Sequence, residues 1–411
     1  MLRRTFDHLL PRLFPRTALA GPPIPTDWSL VRLPDTAAHR APTSSIPAPP
    51  RTPASFDTLT RTTPAIPPLD AELKPARRSQ VEHLGFRAFV ELSKPRITRL
   101  VVLTAAVGFV LAMVDFGGAT PATTTPVLSA LDRILPFLPA QRGPLLLAAL
   151  GCLIGTALSA SGANSLNQFW ESDRDARMPR TARRPIPTGR LRPTQALSAG
   201  IAFSLIGVAI LAFTAGLAAA LVSALTIAVY VLLYTPMKPV TPLSTLVGAI
   251  PGALPPLIGW CAARYAADPA ATFAPLTEAG GWSLFALMFV WQIPHFLAIA
   301  WMYRDDYARG GFRMLPIFDR TGHLTSLMVA AWAVLLIPAT VAPALAMPDR
   351  LGIVYVSIAT ITGLIFLAGT VRLMFERTRA RARAVFIGSI IHLPILLLAM
   401  MAEVGIRALL R

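Results

Sequence analysis

Long stretches without a charged residue recur along the chain. A helix rises 1.5 Å per residue, so roughly 20 residues cross the hydrocarbon layer of a bilayer. Several of the stretches approach or exceed that length, and they lack the polar stripe that a helix of a soluble protein carries. They cover Val101–Val114, Pro144–Ala163, Ala196–Tyr234, Leu243–Ala262, Trp282–Tyr303, Leu324–Met347, Leu351–Val371 and Val385–Met401.

The stretch Ala196–Tyr234 is about twice the length that one span needs. Gly216 near its middle suits a tight turn between two helices. With this division the pattern predicts nine spans. We therefore expect an all-α, polytopic membrane protein with about nine transmembrane helices around a central cavity.

The composition and the placement of charge support a membrane protein. Only 14% of the residues are charged, against about 25% in soluble domains. The net charge of +17 would suggest nucleic-acid binding in a soluble protein. Here most of the basic residues fall in the connections on one side of the nine predicted spans, as the positive-inside rule describes. We expect the amino terminus and these basic loops on the cytoplasmic or matrix side, with the lipid bilayer and no nucleic acid as a partner.

The first part of the chain differs from the rest. The first 80 residues hold 15 of the 39 prolines and show no sustained periodicity. We interpret residues 1–85 as a disordered, proline-rich extension, with a removed leader as the alternative, and residues 86–411 as the membrane domain. The basic start resembles a mitochondrial transit segment, but Pro11 and Asp7 interrupt its amphipathic, acid-poor character. A bacterial cytoplasmic membrane is slightly favoured, with the mitochondrial inner membrane as the alternative.

A polar segment at the end of the second predicted span carries candidate metal ligands. Asn167, Glu171 and Asp175 follow one another at intervals of four residues, so a continuing helix would turn all three in one direction. Two carboxylates and an amide oxygen suit Mg²⁺, which shares its ligand shell with substrate phosphates. Arginines that can bind phosphate oxygens follow at once. They are Arg177, Arg180, Arg183 and Arg184. The pattern indicates a metal–diphosphate site; the alternative is a solvated helix end at the membrane interface.

A second polar segment follows the sixth predicted span. Asp305 and Asp306 lie there with Arg304 and Arg309 close by in the sequence. With nine spans, this segment and the first one open on the same side of the membrane. We therefore expect the two acidic segments to converge on one cavity.

Two further residues allow two interpretations each. His295 lies within a span behind Pro294, which we expect to disrupt the helix, so its ring either lines the cavity or hydrogen-bonds to a neighbouring helix. Lys238 ends the fourth span, where it either contacts phosphate or anchors the topology. The glycines and prolines between Gly248 and Gly259 predict a broken or thinned fifth span.

These segments together are identified as those of the intramembrane UbiA-type prenyltransferase superfamily. The resemblance covers about residues 90–400 and is specific, because several motifs occur in order. The motifs are Ser93-Lys94-Pro95-Arg96, Asn167 to Asp175 with Arg180, Thr181 and Arg184-Pro185, Tyr234-Thr235-Pro236-x-Lys238, Gly252 to Trp260, Trp291-Gln292-x-Pro294-His295-Phe296, Asp306-Tyr307-x-x-Gly310-Gly311 and Met314-Leu315-Pro316.

The resemblance implies an activity and assigns residues to it. The motifs are most similar to those of members that transfer a farnesyl group from farnesyl diphosphate to a vinyl group of heme B, giving heme O, with Mg²⁺ as cofactor. It implies that the catalytic, metal-holding residues are Asn167, Glu171, Asp175 and Asp306. It assigns the diphosphate to Arg180, Arg184 and Lys238, and the acceptor to His295 and Tyr307. Partners in the assembly of a respiratory oxidase are a further implication.

Three departures and three alternatives qualify these implications. Glu171 stands where the superfamily commonly has aspartate, Pro239 replaces an arginine and Ser244 an asparagine. The chemistry remains the same, but a second cation beside Lys238 is not expected. The alternative acceptor is an aromatic ring such as 4-hydroxybenzoate. A secondary transporter and a non-catalytic assembly factor are the alternatives from other classes.

Overall fold

The computed structural model describes residues 85–113 and 143–410. The extension predicted over residues 1–85 lies outside this part of the chain, apart from residue 85 itself. Every regular element in the described residues is helical. The expectation of an all-α protein is therefore confirmed.

Nine helices in the described part of the chain are long and apolar enough to cross a membrane. We label them α1 to α9 in chain order. They are α1 Pro95–Met113, α2 Gly143–Asp175, α3 Pro193–Thr214, α4 Leu217–Met237, α5 Ser244–Ala267, α6 Ala279–Met302, α7 His323–Ala346, α8 Ile353–Phe375 and α9 Arg379–Leu410. The predicted number of spans is confirmed.

The division of the longest apolar stretch falls at the predicted residue. Helix α3 ends at Thr214, and α4 begins at Leu217. Gly216 between them has a φ of 89°, a left-handed conformation that glycine adopts without the strain of a side chain. The backbone reverses there within two residues.

Two proline-containing helices behave differently. Helix α5 consists of two segments, Ser244–Ala253 and Pro255–Ala267, joined at Leu254, as the glycines and prolines of this span predict. Helix α6 runs through Pro294 without interruption. The expectation that Pro294 disrupts the helix is wrong, because α6 packs against α5, α7 and α9 and these neighbours hold its course.

Helices α1 and α5 approach until their backbones touch. A Cβ atom at Gly108 of α1 would fall on the carbonyl group of Pro256, and one at Gly259 of α5 would fall on that of Ala105. Small residues allow membrane helices to pack at this distance, where dispersion contacts replace the hydrophobic effect. This contact holds the second half of α1 against α5.

The helices pack largely in chain order, and α6 also packs against α9. Exposed leucine, isoleucine and phenylalanine side chains cover α3, α8 and α9, as expected for surfaces that face lipid. Connections at one end of the bundle contain the short helices Arg304–Arg309 and Leu315–Phe318. The backbone of Arg313 donates to the Lys238 carbonyl oxygen at 2.7 Å, so the connection after α6 closes over the end of α4.

Candidate active site

The predicted stripe of polar residues forms one wall of a cavity. Asn167, Glu171 and Asp175 lie on the same face of α2 and are 1%, 5% and 0% exposed, so they face the protein and not solvent. The cavity has a volume of about 90 Å³, against roughly 10–15 Å³ for a single water on the same measure. Its wall consists of Lys94, Asn167, Glu171, Asp175, Met178, Arg180, Thr181, Arg184, Tyr230, Lys238, Tyr307 and Phe312. There is room for a small polyatomic anion with a cation.

Each carboxylate of the stripe is paired with a cation from another segment. Lys238 Nζ lies 2.6 Å from Glu171 Oε1. Arg184 Nη1 lies 2.6 Å from Asp175 Oδ2. These are charge-assisted hydrogen bonds between largely buried groups. The structure thus brings together four of the predicted site residues.

The amide of the stripe is held in the same way. Lys94 Nζ donates to Asn167 Oδ1 at 2.8 Å. The Asn167 amide nitrogen donates to Thr235 Oγ1 at 3.0 Å, and that hydroxyl donates to the Tyr230 carbonyl oxygen at 2.8 Å. This chain of donors orients the amide oxygen of Asn167 toward Lys94.

Lys94 lines the cavity, although the sequence motifs assigned it no role. Its backbone has a φ of 49°, a conformation that costs a non-glycine residue energy and is found at functional sites. Asn164 and Gln168 of α2 hold this segment by donating to the carbonyl oxygens of Ser93 (3.2 Å) and Leu92 (2.7 Å). Its place in the Ser93-Lys94-Pro95-Arg96 motif, at the start of the first span, was the signal in the sequence.

Burial and neighbouring charges together determine the charge state of Lys94 and Lys238. Burial and the neighbouring Arg184 lower the pKa of Lys94 to about 7, although Glu171 opposes the shift. Burial also disfavours the charged form of Lys238. The carboxylate of Glu171 outweighs this effect and raises the pKa of Lys238 above its usual range. Lys238 therefore remains an ammonium group.

A π-helical turn shapes the wall at the end of α4. Residues Val229–Tyr234 form this turn, an irregularity common at functional sites. Tyr230 lines the cavity. The ring of Tyr234 lies beneath the Lys238 ammonium group at 4.4 Å, a cation–π contact. The turn therefore supplies two aromatic rings around one cation.

The second loop reaches the cavity through aromatic and basic residues. The Arg180 guanidinium lies over the rings of Tyr303, at 4.6 Å, and Tyr307, at 5.1 Å. Tyr307 and Phe312 line the cavity. The two polar loops thus meet at one end of the bundle as predicted, but the second loop reaches the cavity wall with aromatic residues and not with its acidic residues. Asp306 is partly exposed and is not among the residues of the cavity wall; it interacts electrostatically with Arg180.

His295 lies against a neighbouring helix instead of the cavity wall. Its Nδ1 atom is 2.7 Å from Ser389 Oγ on α9. Its ring stacks on Trp291 with centroids 5.0 Å apart and contacts Phe386 at 5.1 Å. Of the two interpretations of this residue, the structure shows the hydrogen bond to another helix. Nearby on α9, both ring nitrogens of His392 are buried without a hydrogen-bond partner among the described residues.

The oxygen atoms of the stripe fit a magnesium ion that also binds phosphate. Asp175 Oδ1 is buried and has no hydrogen-bond partner in the part of the chain that the structure describes. Within the same residues, no group of three or more acidic, histidine or cysteine side chains could hold a metal alone. Mg²⁺ is commonly held by one or two carboxylates together with substrate phosphates and water. Asn167, Glu171 and Asp175 match that requirement.

A bundle of spanning helices with a buried cavity that combines carboxylates and cations at one mouth is the architecture of an intramembrane prenyltransferase. The model of the UbiA prenyltransferase family matches residues 134–395. The chain therefore belongs to the UbiA prenyltransferase family.

Individual relatives agree with this assignment. The chain is 41% identical over 311 residues to the protoheme IX farnesyltransferase of Solibacter usitatus, covering 75% of this chain and 96% of the relative. The structure of a digeranylgeranylglyceryl phosphate synthase superposes with a TM-score of 0.59 at 14% identity, over 78% of this chain and 99% of that one. A UbiA homologue from Archaeoglobus fulgidus bound to DMAPP and Mg²⁺ gives 0.50 at 14% identity, over 77% and 99%. Both structures share the fold.

Proposed function

We propose that this enzyme transfers a farnesyl group from farnesyl diphosphate to a vinyl group of heme B and so produces heme O. The similarity that carries the proposal is the 41% identity to a protoheme IX farnesyltransferase over 96% of that protein. The cavity supports the diphosphate half of the reaction, since it combines buried cations with metal-ligand oxygens. Heme is a large apolar acceptor that suits an enzyme embedded in lipid.

The metal would be held by Asn167, Glu171 and Asp175, with Asp306 as a further candidate. When bound, Mg²⁺ neutralises the charge that develops on the departing diphosphate. Asp175 offers a buried oxygen without a hydrogen-bond partner among the described residues for this purpose. Asp306 stands outside the cavity wall, and its part as a ligand remains a proposal.

The diphosphate oxygens would be bound by Arg180, Arg184 and Lys238, to which the cavity adds Lys94. All four line the cavity. Cations fixed around a leaving group in a partly enclosed cavity stabilise the charge on it more strongly than they would in water. The anion would also favour the protonated form of Lys94, whose pKa burial lowers.

The reaction breaks the bond between C1 of the farnesyl group and the diphosphate oxygen, and the electron pair leaves with the diphosphate. The π electrons of the heme vinyl group form the new bond to C1. Water adds to the carbon that becomes positive and loses a proton, which leaves a hydroxyethylfarnesyl substituent. The aromatic rings of Tyr230, Tyr307 and Phe312 on the cavity wall would keep bulk water from the allylic cation until the vinyl group attacks it.

The acceptor side is assigned to Tyr307 and His295. Tyr307 lies on the cavity wall, where its ring also contacts Arg180. His295 would act from its place beside Ser389, away from the wall. Its ring would meet a porphyrin edge together with Trp291 and Phe386.

We further propose where the enzyme lies. The basic residues at the cavity end of the bundle favour the cytoplasmic or matrix side for the active site. A bacterial cytoplasmic membrane fits the bacterial source of the relative, with the mitochondrial inner membrane as the alternative. The proline-rich residues 1–85 would be an extension to the membrane domain 86–411, and oxidase assembly factors would be its protein partners.

One assay tests the reaction. Purified protein in lipid nanodiscs is mixed with heme B, farnesyl diphosphate and Mg²⁺, and the pigment is analysed by mass spectrometry. We expect a hydroxyethylfarnesyl heme from the wild type and a loss of at least about a hundredfold in rate for Glu171→Gln and Asp175→Asn, because each removes a charge that binds the metal. Arg381→Met, which breaks an exposed ion pair with Glu376, is the matched control and should keep full activity.

The competing acceptor is tested in the same mixture. 4-Hydroxybenzoate is supplied with and without heme B, and both products are measured. A prenylated aromatic acid with no heme adduct would refute the acceptor and leave the prenyl-transfer chemistry in place. The sequence motifs and the relatives favour heme.

A further inference from the structure

Each metal-ligand group of the cavity is already engaged by one of the cations that would bind the diphosphate. Glu171 is paired with Lys238, Asp175 with Arg184, and Asn167 with Lys94, at 2.6, 2.6 and 2.8 Å. Both carboxylates of the cavity wall are therefore neutralised by a paired cation, and the amide oxygen is occupied by a third cation.

We propose that the site takes the divalent metal and the diphosphate only as one complex and binds neither of them well alone. This inference rests on the proposed function, because it concerns the same cavity. It specifies the substrate as a metal–diphosphate complex. The binding step is an exchange of partners, in which each cation moves from a carboxylate or amide oxygen to a phosphate oxygen while the metal takes the released oxygen.

Charge explains why a metal alone would bind poorly. The cavity wall holds four cationic side chains and two carboxylates. A divalent ion that displaced Lys238 from Glu171 would leave a buried ammonium group without a counter-ion, which is strongly unfavourable. The described residues also contain no cluster of three acidic, histidine or cysteine side chains that would bind the metal strongly enough to offset this penalty.

The same reasoning applies to the anion alone. A diphosphate that drew Lys238 and Arg184 toward itself would leave Glu171 and Asp175 buried and unpaired. Glu171 is 5% exposed and Asp175 is not exposed at all, so the few waters that the cavity holds would compensate the released carboxylates less well than bulk water does. When metal and diphosphate bind together, the released cations contact phosphate oxygens and the released carboxylate and amide oxygens contact the metal.

The geometry limits each exchange to a short movement. Lys238 and Arg184 face the same cavity as the oxygens that they pair with. Lysine and arginine side chains reorient by rotation about their χ angles while the backbone stays in place. The Lys238 ammonium group lies 4.4 Å from the centre of the Tyr234 ring. Since cation–π contacts extend to about 6 Å, this contact would survive a short movement of the ammonium group.

The test measures binding and requires no turnover. Protein in nanodiscs is equilibrated by dialysis against Mn²⁺ alone, inorganic pyrophosphate with a chelator, or both, and the excess of each in the protein chamber is counted. For the wild type we expect little retention of either probe alone and strong retention of both together. Equal retention of Mn²⁺ with and without pyrophosphate would overturn the inference.

Replacement of Lys238 should change the affinity for Mn²⁺ alone and the affinity for the Mn²⁺–pyrophosphate complex in opposite directions. Lys238→Met releases Glu171, so retention of Mn²⁺ alone should become at least about tenfold tighter, the equivalent of one lost buried ion pair. The Mn²⁺–pyrophosphate complex should bind about tenfold or more weakly, because one charge-assisted hydrogen bond to phosphate is missing. Unchanged or weaker Mn²⁺ binding in this variant would refute the exchange of partners.

Two controls separate folding and the proposed function from this inference. Arg184→Met, which frees Asp175, should repeat the pattern, and Arg381→Met should behave as the wild type; thermal melting confirms that each variant is folded. If pyrophosphate is not retained in any mixture, the proposed function itself fails. If Mn²⁺ and pyrophosphate bind independently of each other, only the coupled binding fails.

Discussion

Arg174 Nη1 lies 3.1 Å from the carbonyl oxygen of Gly310. The same nitrogen lies 3.2 Å from the carbonyl oxygen of Gly311. Arg174 is at the end of α2, one residue before Asp175, whereas the two glycines belong to the connection after α6. The helix that carries the metal-ligand oxygens is thus tied to the loop that carries Tyr307 and Phe312.

Replacement of Arg174 by methionine should loosen that loop. Hydrogen bonds from a charged donor contribute roughly 1.5–3 kcal/mol, so we expect the KM for farnesyl diphosphate to rise about tenfold or more with a smaller change in kcat. Arg174→Lys should be intermediate, since a lysine can reach one of the two carbonyls. Steady-state kinetics measure both constants. Arg381→Met, which breaks an exposed ion pair with Glu376, is the control, and an equal rise in its KM would argue against the contact between Arg174 and the two glycines.

The length of the acidic side chain at position 171 should matter as well as its charge. Glu171 reaches Lys238 at 2.6 Å, and an aspartate would withdraw the carboxylate by one methylene. A misplacement of about 1 Å can cost up to about a hundredfold in rate. We therefore expect Glu171→Asp to lower kcat about tenfold to a hundredfold and Glu171→Gln to lower it further. Equal activities for the two variants in the heme assay would show that charge at this position is irrelevant.

Replacement of glycine by alanine should affect stability differently at the contact between α1 and α5 and at a glycine that faces open space. Gly108→Ala and Gly259→Ala should lower the thermal stability, because the added methyl group would meet the backbone of the facing helix. At Gly369 in α8 nothing lies within 4 Å of an added Cβ. Gly369→Ala should therefore be neutral or stabilise by about 0.5–1 kcal/mol. Melting of the three variants in one detergent tests this, and a loss of stability in all three would contradict it.

The two histidines near the middle of the bundle should respond differently to phenylalanine. The His392 ring stacks on Phe366 at 5.7 Å, but both of its nitrogens are buried without partners among the described residues. A buried unpaired polar group costs roughly 1–3 kcal/mol, so His392→Phe should raise the melting temperature. His295→Phe removes the hydrogen bond to Ser389 and should lower it. A fall in melting temperature for His392→Phe would show that its ring has a partner in the membrane.

Much of the architecture could be predicted from local pattern alone. The length of each apolar run requires a spanning helix, and Gly216 divides the longest run because only its backbone tolerates the turn there. The interval of four residues places Asn167, Glu171 and Asp175 on one face whatever surrounds the helix. Pro294 shows the limit of such reasoning, since α6 continues through this proline against its local preference while packed against neighbouring helices.

What the sequence determined by itself is therefore the number of spans, the polar stripe on α2 and the presence of basic groups beside it, because each depends on residues close together in the chain. Only the tertiary structure decided which cation meets which oxygen. Lys94 is 73 residues from Asn167, and Lys238 is 67 from Glu171. It also decided that His295 turns to Ser389 and that Asp306 stays off the cavity wall. Contacts over such distances depend on how the helices pack against one another, and a local pattern of residues carries no information about that packing.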